Sequence, residues 1–496
     1  MALLVSSTMA WAQGPWTSGD CTVTWTESTK TLTISKNAGD GNGAMADYTT
    51  GRGQEWQHSL AVETVIIETG VTRIGDYAFF MSNNLSSVTI ASTVTSIGRW
   101  AFTYCTSLTS IDIPNSVTSI EQEAFENTGL TSIDIPNTVT SIAMATFAGC
   151  TSLSSVTIPS SVTTIGIGAF SSTGLTSITI PSSVTSIGST AFSDCPKLAT
   201  IVVDAGNSVY DSRNCNAIIE TASNTIVAGC KNTTIPNSVE KIGEAAFAGC
   251  TSLTSITIPS SVTSIGQLAF VNCTGLKTVN CEGTSVPTLG ANAFVYQSFN
   301  QQTMQLEIHD LDNLTAIYVP GGSIDNYGVA TNWSDYKNVL KSTWAGNNVA
   351  SGDFAGYWST YYNGGCAVEA DADTHVYYIT AVGETTATLA ENEDDKVIPA
   401  GTGVLLKSAN ASVTLSYTES ASTCSYSSNK LHGVDTDTNQ SGTNYVLSKV
   451  NGDFGFFKLA SSKQLSANRA YLSGTSGAPD FGGFNISEGM THLKPR

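Results

Sequence analysis

The chain has 496 residues, of which only 12% are charged, and its formal net charge is −19. A chain of this length exceeds one compact core, so several domains or an array of repeats are expected. The acidic balance argues against binding to nucleic acid or to an anionic membrane, because both need clustered Lys and Arg.

The N-terminal residues 1–12 are interpreted as the remnant of a signal peptide. An apolar run precedes Ala10-Trp11-Ala12, a small-x-small cleavage pattern. The basic start of such a peptide is missing, so a disordered or tag-like start is the alternative. No later segment has the ~18 apolar residues of a membrane span. We therefore expect an exported protein, at the cell surface or extracellular.

The next segment, residues 13–60, is predicted to form an N-terminal β cap. Its runs at 22–25 and 32–34 have the composition of short strands. Residues 61–320 then repeat about every 23 positions around an aromatic anchor, which is the signature of a solenoid. The anchors are Phe79, Phe102, Phe125, Phe147, Phe170, Phe192, Phe247, Phe270 and Phe294.

Each repeat has three blocks. Leu-x-x-Ile-x-Ile-Pro alternates like a strand and ends at a proline, which has no N–H for a β ladder. Ser-Val-Thr-Ser-Ile-Gly follows as a short extended segment closed by a glycine turn. Ala-Phe-x-x-Cys has the i, i+3 spacing of one helical or 3₁₀ turn. One such coil buries too little apolar surface to offset its conformational entropy, so the coils must share a core and need caps.

A small residue lies three positions after each anchor in most coils. It is Cys105, Cys150, Cys195, Cys250 or Cys273, with Thr128 and Thr173 at the same position. Buried Cys behaves as a small apolar residue. The Cys/Thr exchange favours a ladder of interior thiols over a metal site, since Thr would remove a ligand.

The three blocks resemble the BspA-type leucine-rich repeat. The resemblance implies a solenoid from a surface protein of host-associated bacteria that binds other proteins. It is specific over residues 61–320. Proline replaces the stretch that leads to the Asn ladder of the commoner leucine-rich repeat, so the usual horseshoe curvature is not implied.

An insertion around residues 204–234 separates the anchors Phe192 and Phe247. Residues 217–219 and 225–227 flank Ala222-Ser223, which predicts a protruding β-hairpin. Cys215 and Cys230 are equidistant from its centre. A disulfide between them would close the loop, and two unpaired thiols are the alternative.

After the repeats, residues 321–342 are predicted to form an aromatic C-terminal cap with Tyr327, Trp333 and Tyr336. Residues 343–356 are expected to be a linker, and residues 357–490 a C-terminal β-domain of strands at sandwich-like spacing. The predicted fold is thus mainly β: a leucine-rich-repeat solenoid of about 23-residue coils, followed by a separate C-terminal β-sandwich-like domain.

The chain carries no recognisable catalytic, cofactor or metal motif. Its five histidines are scattered, and no Walker, dinucleotide or nucleophile-elbow pattern occurs. Acidic runs at 40–43, 369–373 and 391–395 could suggest calcium, but solvated turns account for them better. We therefore expect no enzyme, no cofactor and no metal. A carbohydrate-active enzyme with a site in 357–490 is the weakest alternative.

The outward side chains of the repeat strand form the candidate binding face. They are Ser110, Asp112, Ser132, Asp134, Ser155, Thr157, Ser177, Thr179, Ser255 and Thr257. Hydroxyls repeated at ~4.8 Å offer ordered donors and acceptors to a protein loop, a peptide or a glycan. Solvation alone is the competing interpretation. Because aromatic platforms are missing from these positions, we expect protein partners, such as extracellular-matrix or other cell-surface proteins. A secreted glycan-binding accessory protein is the alternative.

Overall fold

The computed structural model describes residues 15–49, 62–320 and 323–345, together with strands of the C-terminal region between Asn347 and Pro495. The predicted signal-peptide remnant at 1–12 lies outside the described residues. The protein is mainly β, with 33% strand and 4% helix, and it forms a β-solenoid of about 12 turns with a spacing of roughly 23 residues.

The chain divides into two compact units. In the first unit, most coils contribute a main strand and a shorter second strand, but residues 108–114, which include Ser110 and Asp112, form no main strand. The main strands are Thr64–Ile67, Ser87–Ile90, Ser132–Asp134, Ser155–Thr157, Ser177–Ile180 and Thr200–Val203. The second strands are Arg73–Ile74, Ser96–Ile97, Ser119–Ile120, Ser141–Ile142, Thr164–Ile165, Ser186–Ile187, Lys241–Ile242 and Ser264–Ile265. Equivalent residues of successive coils pair in parallel, as Ser132 does with Ser155.

The N-terminal end of the stack is covered by a three-stranded meander. Trp16–Ser18, Cys21–Thr26 and Thr31–Lys36 pair antiparallel. The last of these then pairs in parallel with Thr64–Ile67, the first strand of the repeats. The meander therefore supplies hydrogen-bond partners to a strand edge that would otherwise be open.

The anchor phenylalanines form a column in the core. Five consecutive ring pairs from Phe79 to Phe192 have centroids 5.3–5.8 Å apart and are stacked. After the insertion, Phe247, Phe270 and Phe294 stack again at 4.9 and 5.0 Å. The shared core predicted from the anchor spacing is thus confirmed, because consecutive anchor rings on each side of the insertion stack on one another.

The Ala-Phe turn has the predicted i→i−3 hydrogen bonds, but they alternate with bonds to the next coil. In the first coil, the N–H of Phe80 donates to Tyr77 O at 3.2 Å, while the N–H of Phe79 donates to Ala101 O at 2.8 Å. This alternation requires left-handed backbone on either side of the anchor, as at Tyr77 (φ 57°) and Met81 (φ 58°). Later coils often place Gly or Asn there, for example Gly149 and Asn272.

The insertion at 204–234 contains an antiparallel hairpin that is folded into the stack. Its strands are Ala217–Glu220 and Thr225–Gly229, with Tyr210–Asp211 paired beside the first. Ile218, Ile219 and Ile226 are fully buried. Thr225–Gly229 also pairs in parallel with Lys241–Ile242, in the position of a second strand. The expectation of a protruding hairpin is therefore wrong, because its apolar strands fill part of the core.

The sequence left two states open for Cys215 and Cys230, a disulfide or two unpaired thiols, and the structure has the unpaired thiols. Both thiols are free and buried. The S–H of Cys230 donates to Asn216 O at 3.4 Å, and Cys230 lies in the core cluster of the repeats. The neighbouring Gly229 C=O accepts the S–H of Cys250 at 3.8 Å. Cys230 thus occupies the interior Cys position of an abbreviated coil, which explains its presence without a bridge.

A different hairpin is exposed. Val295–Asn300 and Gln305–Asp310 form a two-stranded antiparallel sheet. On one of its faces lie Phe299, Leu306 and Ile308, which are 56%, 59% and 49% exposed. This segment follows the last anchor, Phe294, and its alternating apolar residues were not assigned a structure from the sequence.

The second unit contains the remaining repeat strands in a seven-stranded sheet. Ser255–Ile258, Thr278–Cys281, Ala316–Val319 and Leu340–Ala345 pair in parallel. Leu340–Ala345 then pairs antiparallel with Ser412–Thr418, and Ala367–Ala370 and Val397–Ile398 complete the sheet. Part of the predicted linker at 343–356 is therefore strand, and C-terminal strands continue the sheet of the repeats. Thr288–Leu289 is a further short strand.

The predicted C-terminal cap contains the α-helix Ile324–Val329 and the 3₁₀ helix Trp333–Val339. Tyr327 and Trp333 are fully buried. The indole N–H of Trp333 donates to Pro287 O at 2.7 Å, and the Tyr327 hydroxyl donates to Gly283 O at 3.2 Å. The aromatic residues thereby satisfy backbone carbonyls at this end of the repeats.

A second sheet of the C-terminal region has eleven strands, all paired antiparallel where register is defined. In spatial order they are Asn347–Val349, Gly356–Asn363, Thr402–Ser408, Thr374–Val382, Ala387–Glu391, His492–Pro495, Phe484–Ile486, Asp453–Lys458, Asn444–Val450, Arg469–Ser473 and Leu431–Val434.

Candidate functional site

The strand face predicted from the sequence is exposed at every position. All ten residues proposed for it are exposed, and they alternate with core residues. Between Ser132 and Asp134 lies Ile133, which is 3% exposed, and between Ser177 and Thr179 lies Ile178, at 2%. A strand places successive side chains on opposite faces, so the buried Ile residues force their neighbours outward.

The structure groups these residues by unit. Ser110, Asp112, Ser132, Asp134, Ser155, Thr157, Ser177 and Thr179 lie on successive coils of the first unit, and Ser255 and Thr257 lie in the second unit. Direct register joins Asp134 to Thr157, and in the second unit Thr257 to Asn280. Two apolar side chains, Ile66 and Val202, are also exposed in outward positions of first-unit strands.

Hydroxyl groups elsewhere in the coil have a structural use. Ser116, Ser161 and Ser183 each donate to a backbone carbonyl of the preceding coil, at 2.6–2.7 Å. Within the described part of the chain, by contrast, none of the ten strand-face side chains forms a hydrogen bond. Their donors and acceptors are therefore available to a ligand or to water.

The interior thiols form the predicted ladder and also act as donors. Cys150 S–H donates to Phe125 O at 3.1 Å, and the Thr128 hydroxyl donates to the same oxygen at 2.9 Å. Burial raises the pKa of Cys150 to about 11 and that of Cys273 to about 12. These thiols are buried and protonated at neutral pH, so we assign them to packing and not to chemistry.

Sequence analysis overlooked an aromatic cluster on the Ala-Phe turns of the first two repeat coils. We call it the turn patch and define it by Tyr77, Phe80, Trp100 and Tyr104. Ring centroids of Tyr77 and Trp100 are 4.5 Å apart, those of Tyr77 and Phe80 5.5 Å, and those of Phe80 and Tyr104 6.1 Å. Tyr104 is 42% exposed, and the other three rings are partly exposed.

Two carboxylates border the turn patch on the next coil. The indole N–H of Trp100 donates to the Glu123 carboxylate. Tyr104 N–H donates to the backbone oxygen of Glu126 at 2.9 Å, so Glu126 lies on the adjacent turn, and its carboxyl group lies beside that of Glu123. Burial and the nearby Glu123 carboxylate raise the pKa of Glu126.

The neighbouring cations are already paired with other acids. Arg73 pairs with Asp76 at 2.7 Å and also pairs with Asp47, and the Arg99 guanidinium lies 5.1 Å from the centre of the Trp100 ring. Among the ion pairs of the described residues, none involves Glu123 or Glu126.

A signal for this patch was present in the sequence. Tyr77 and Trp100 are 23 positions apart, as are Met81 and Tyr104. Both spacings equal the repeat period, so the side chains had to lie in register. The turn positions that flank each anchor therefore carry the same periodic information as the core and strand-face positions.

Over the residues that the structure describes, no three His, Cys, Asp or Glu side chains come together as metal ligands. No helix in this part of the chain has the length and apolar character needed to cross a bilayer. Asn42, in the acidic turn at 40–43, accepts the N–H of Ala44 at 2.9 Å.

Comparison with known proteins identifies the family of the repeats. Residues 56–128, 72–199 and 219–315 match, in six copies, the family model described as a BspA type leucine rich repeat region. No curated protein matches the sequence.

Several solved structures are similar to the chain. A leucine rich cell surface protein from Faecalibacterium prausnitzii A2-165 is 30% identical over 62% of this chain and 89% of its own, with a TM-score of 0.44. A leucine-rich repeat protein from Eubacterium ventriosum ATCC 27560 is 26% identical over 62% and 78%, with a TM-score of 0.42. The pneumococcal vaccine antigen PcpA is 18% identical over 62% and 87%, with a TM-score of 0.36. By its six matching repeat copies, the chain belongs to the BspA-type leucine-rich-repeat family.

Proposed function

We propose that this protein is an exported, surface-associated binding protein that recognises host or partner-cell proteins through the strand face. The proposal rests on a difference in hydrogen bonding between two sets of polar side chains. Those of Ser116, Ser161 and Ser183 hold coils together, whereas the ten strand-face side chains are exposed and make no hydrogen bonds in the described part of the chain.

A protein partner fits this face better than a sugar does. Its side chains are short and repeat with the coil, so an extended peptide or a flat loop can meet several equivalent donors and acceptors. The rings on which sugars usually stack are missing from the ten positions. Binding needs no catalytic group. Repeat scaffolds such as that of this family present extended binding surfaces.

The proposal is tested with the full chain and a blocking variant. Ser132→Lys with Ser155→Lys places two long cations on neighbouring strands of the face, where the two residues are in direct register. Ser107→Lys with Ser152→Lys makes the same change at two exposed serines outside these strands. Immobilised extracellular-matrix and epithelial surface proteins, and a glycan array, serve as probes.

The parent and the Ser107/Ser152 variant should bind the same protein on the panel, and the Ser132/Ser155 variant should lose about tenfold or more in affinity. Equal binding by all three would show that the face is only solvated. Binding restricted to the glycan array would favour the secreted glycan-binding accessory protein instead.

A further inference from the structure

The turn patch is a partly exposed aromatic surface, of which Tyr77 also packs against the core. Its four rings lie outside the phenylalanine column, which Phe79 and Phe102 already continue through these two coils at 5.3 Å. Tyr, Trp and Arg are the residues that most often dominate protein interfaces. Here the Arg99 guanidinium lies over the Trp100 ring, and Tyr104 follows on the same turn.

The backbone argues that these rings are not kept for stability. Trp100 (φ 55°) and Tyr104 (φ 62°) have left-handed backbone, which is unfavourable for bulky residues. Three coils further on, Gly168 occupies the Trp100 position, and Asn127 follows Tyr104 in the next coil. Gly and Asn tolerate this conformation more readily. At the Trp100 position later coils have Glu123, Ala145, Gly168, Thr190, Ala245, Leu268 and Asn292, so the left-handed turn does not require an aromatic ring there.

Charge identifies what the patch would bind. Glu123 and Glu126 border the rings, and neither takes part in an ion pair among the described residues, while Arg73 and Arg99 are engaged by Asp76. A cationic side chain placed between the rings and these carboxylates gains both a cation–π contact and an ion pair. The net charge of the whole chain, −19, also attracts cationic partners at long range.

We infer that the turn patch is a second binding surface, separate from the strand face, and that it takes an Arg- or Lys-bearing segment of a partner protein. The incoming cation lies over Tyr104 and is neutralised by Glu126 and Glu123. Neutral or acidic segments gain neither contact. This surface does not depend on the strand face, so it can be tested whether or not the strand face binds a ligand.

The experiment uses the full chain and a fluorescent peptide of alternating Arg and Gly, with an alternating Glu and Gly peptide as comparison. Fluorescence anisotropy at about 50 and about 300 mM NaCl gives the affinity and its salt dependence. The Arg peptide should bind and weaken at the higher salt. The Glu peptide should not bind.

Two variants remove the two halves of the surface. Tyr104→Asn removes the exposed ring and should weaken Arg-peptide binding about tenfold, with a melting temperature equal to or above that of the parent. Glu123→Gln with Glu126→Gln should weaken it by a similar factor and reduce the salt dependence. The matched control for Tyr104→Asn is Ser172→Asn, at another left-handed position. The matched control for the double Glu variant is Glu68→Gln with Asp204→Asn, at exposed acids elsewhere.

Three results would overturn the inference. Equal weakening by Glu68→Gln with Asp204→Asn would mean that only overall acidity attracts the peptide. A large fall in melting temperature for Tyr104→Asn would make the ring a structural residue. Binding of chitohexaose that Tyr104→Asn abolishes, without binding of the Arg peptide, would make the patch a glycan platform.

Discussion

Cys and Thr fill one interior slot in this protein because both can donate to the same kind of acceptor. Thr128 donates to Phe125 O within its own coil, and Cys150 donates to that oxygen from the next coil. Thr173 and Cys195 repeat the arrangement on Phe170 O at 2.9 and 3.2 Å. The slot is therefore small and half-polar, which is why a hydroxyl can replace a thiol without leaving an unsatisfied buried group.

This slot predicts a pH dependence of stability. The pKa of a thiol is ordinarily 9.0, and burial raises it to about 11 for Cys150 and about 12 for Cys273. Above pH 9 the unfolded chain loses these protons first, so the folded state binds more protons. The free energy of unfolding should therefore be fully retained below about pH 9 and decline as the pH rises toward about 12.

The variant Cys150→Thr with Cys273→Thr isolates the contribution of these two thiols. At neutral pH it should differ from the parent by about 1–2 kcal/mol or less, because Thr already fills equivalent slots. Above pH 9 its stability should fall less steeply than that of the parent. Urea unfolding at several pH values measures both curves, and parallel curves would contradict the assignment.

At the scale of the repeat, one ring per coil holds neighbouring turns together. Phe147 and Phe170 are stacked at 5.5 Å, and Phe170 and Phe192 at 5.6 Å. Backbone bonds add to this, since Phe147 N–H donates to Ala169 O at 2.9 Å. Each coil is thus completed by its neighbours, and the exposed hairpin at 295–310 lacks such support on its apolar face.

Replacing one core ring should therefore cost far more than replacing an exposed one. Phe170→Ala leaves a cavity between two rings and should lower the free energy of unfolding by about 3–5 kcal/mol. Phe299→Ala, at a ring that is 56% exposed in the hairpin, should change it by about 0.5 kcal/mol or less. Chemical denaturation of both variants decides the point. Comparable losses would place Phe299 in a packed interface instead.

At the scale of the whole molecule, the described N-terminal end of the stack is closed by the antiparallel meander. Thr31–Lys36 pairs with Thr64–Ile67, and Glu68 N–H donates to Ile34 O at 2.9 Å. Val23, Leu32 and Ile34 are fully buried against the repeats. The meander therefore protects both an apolar surface and a strand edge.

Removing this meander should make the chain self-associate. A variant lacking residues 1–61 would expose Val65 and Ile67 together with the edge of their strand, a template for pairing with another chain. Size-exclusion chromatography with light scattering should find it aggregated or oligomeric. A variant lacking only residues 1–13 keeps the meander and should match the parent. A monomeric, fully stable 62–496 chain would show that the cap is dispensable.

The sequence by itself determined the stack. In a solenoid the residue one period away is also the neighbour in space, so the anchor spacing predicts the ring column and the alternation predicts which strand residues are exposed. For Phe125, Cys150 and Ser132, local pattern and tertiary contact carry the same information. The family resemblance depended on these same blocks.

Outside the regular repeats, only the tertiary structure decided which strands pair and which residues are buried. Nothing local to 217–229 indicates that this hairpin fills core space while 295–310 is exposed, because both read as alternating strands around a short turn. Cys215 and Cys230 are both buried as free thiols, and Leu340–Ala345 pairs with Ser412–Thr418. Strand partners and burial outside the repeat depend on packing across the whole chain, which no short segment encodes.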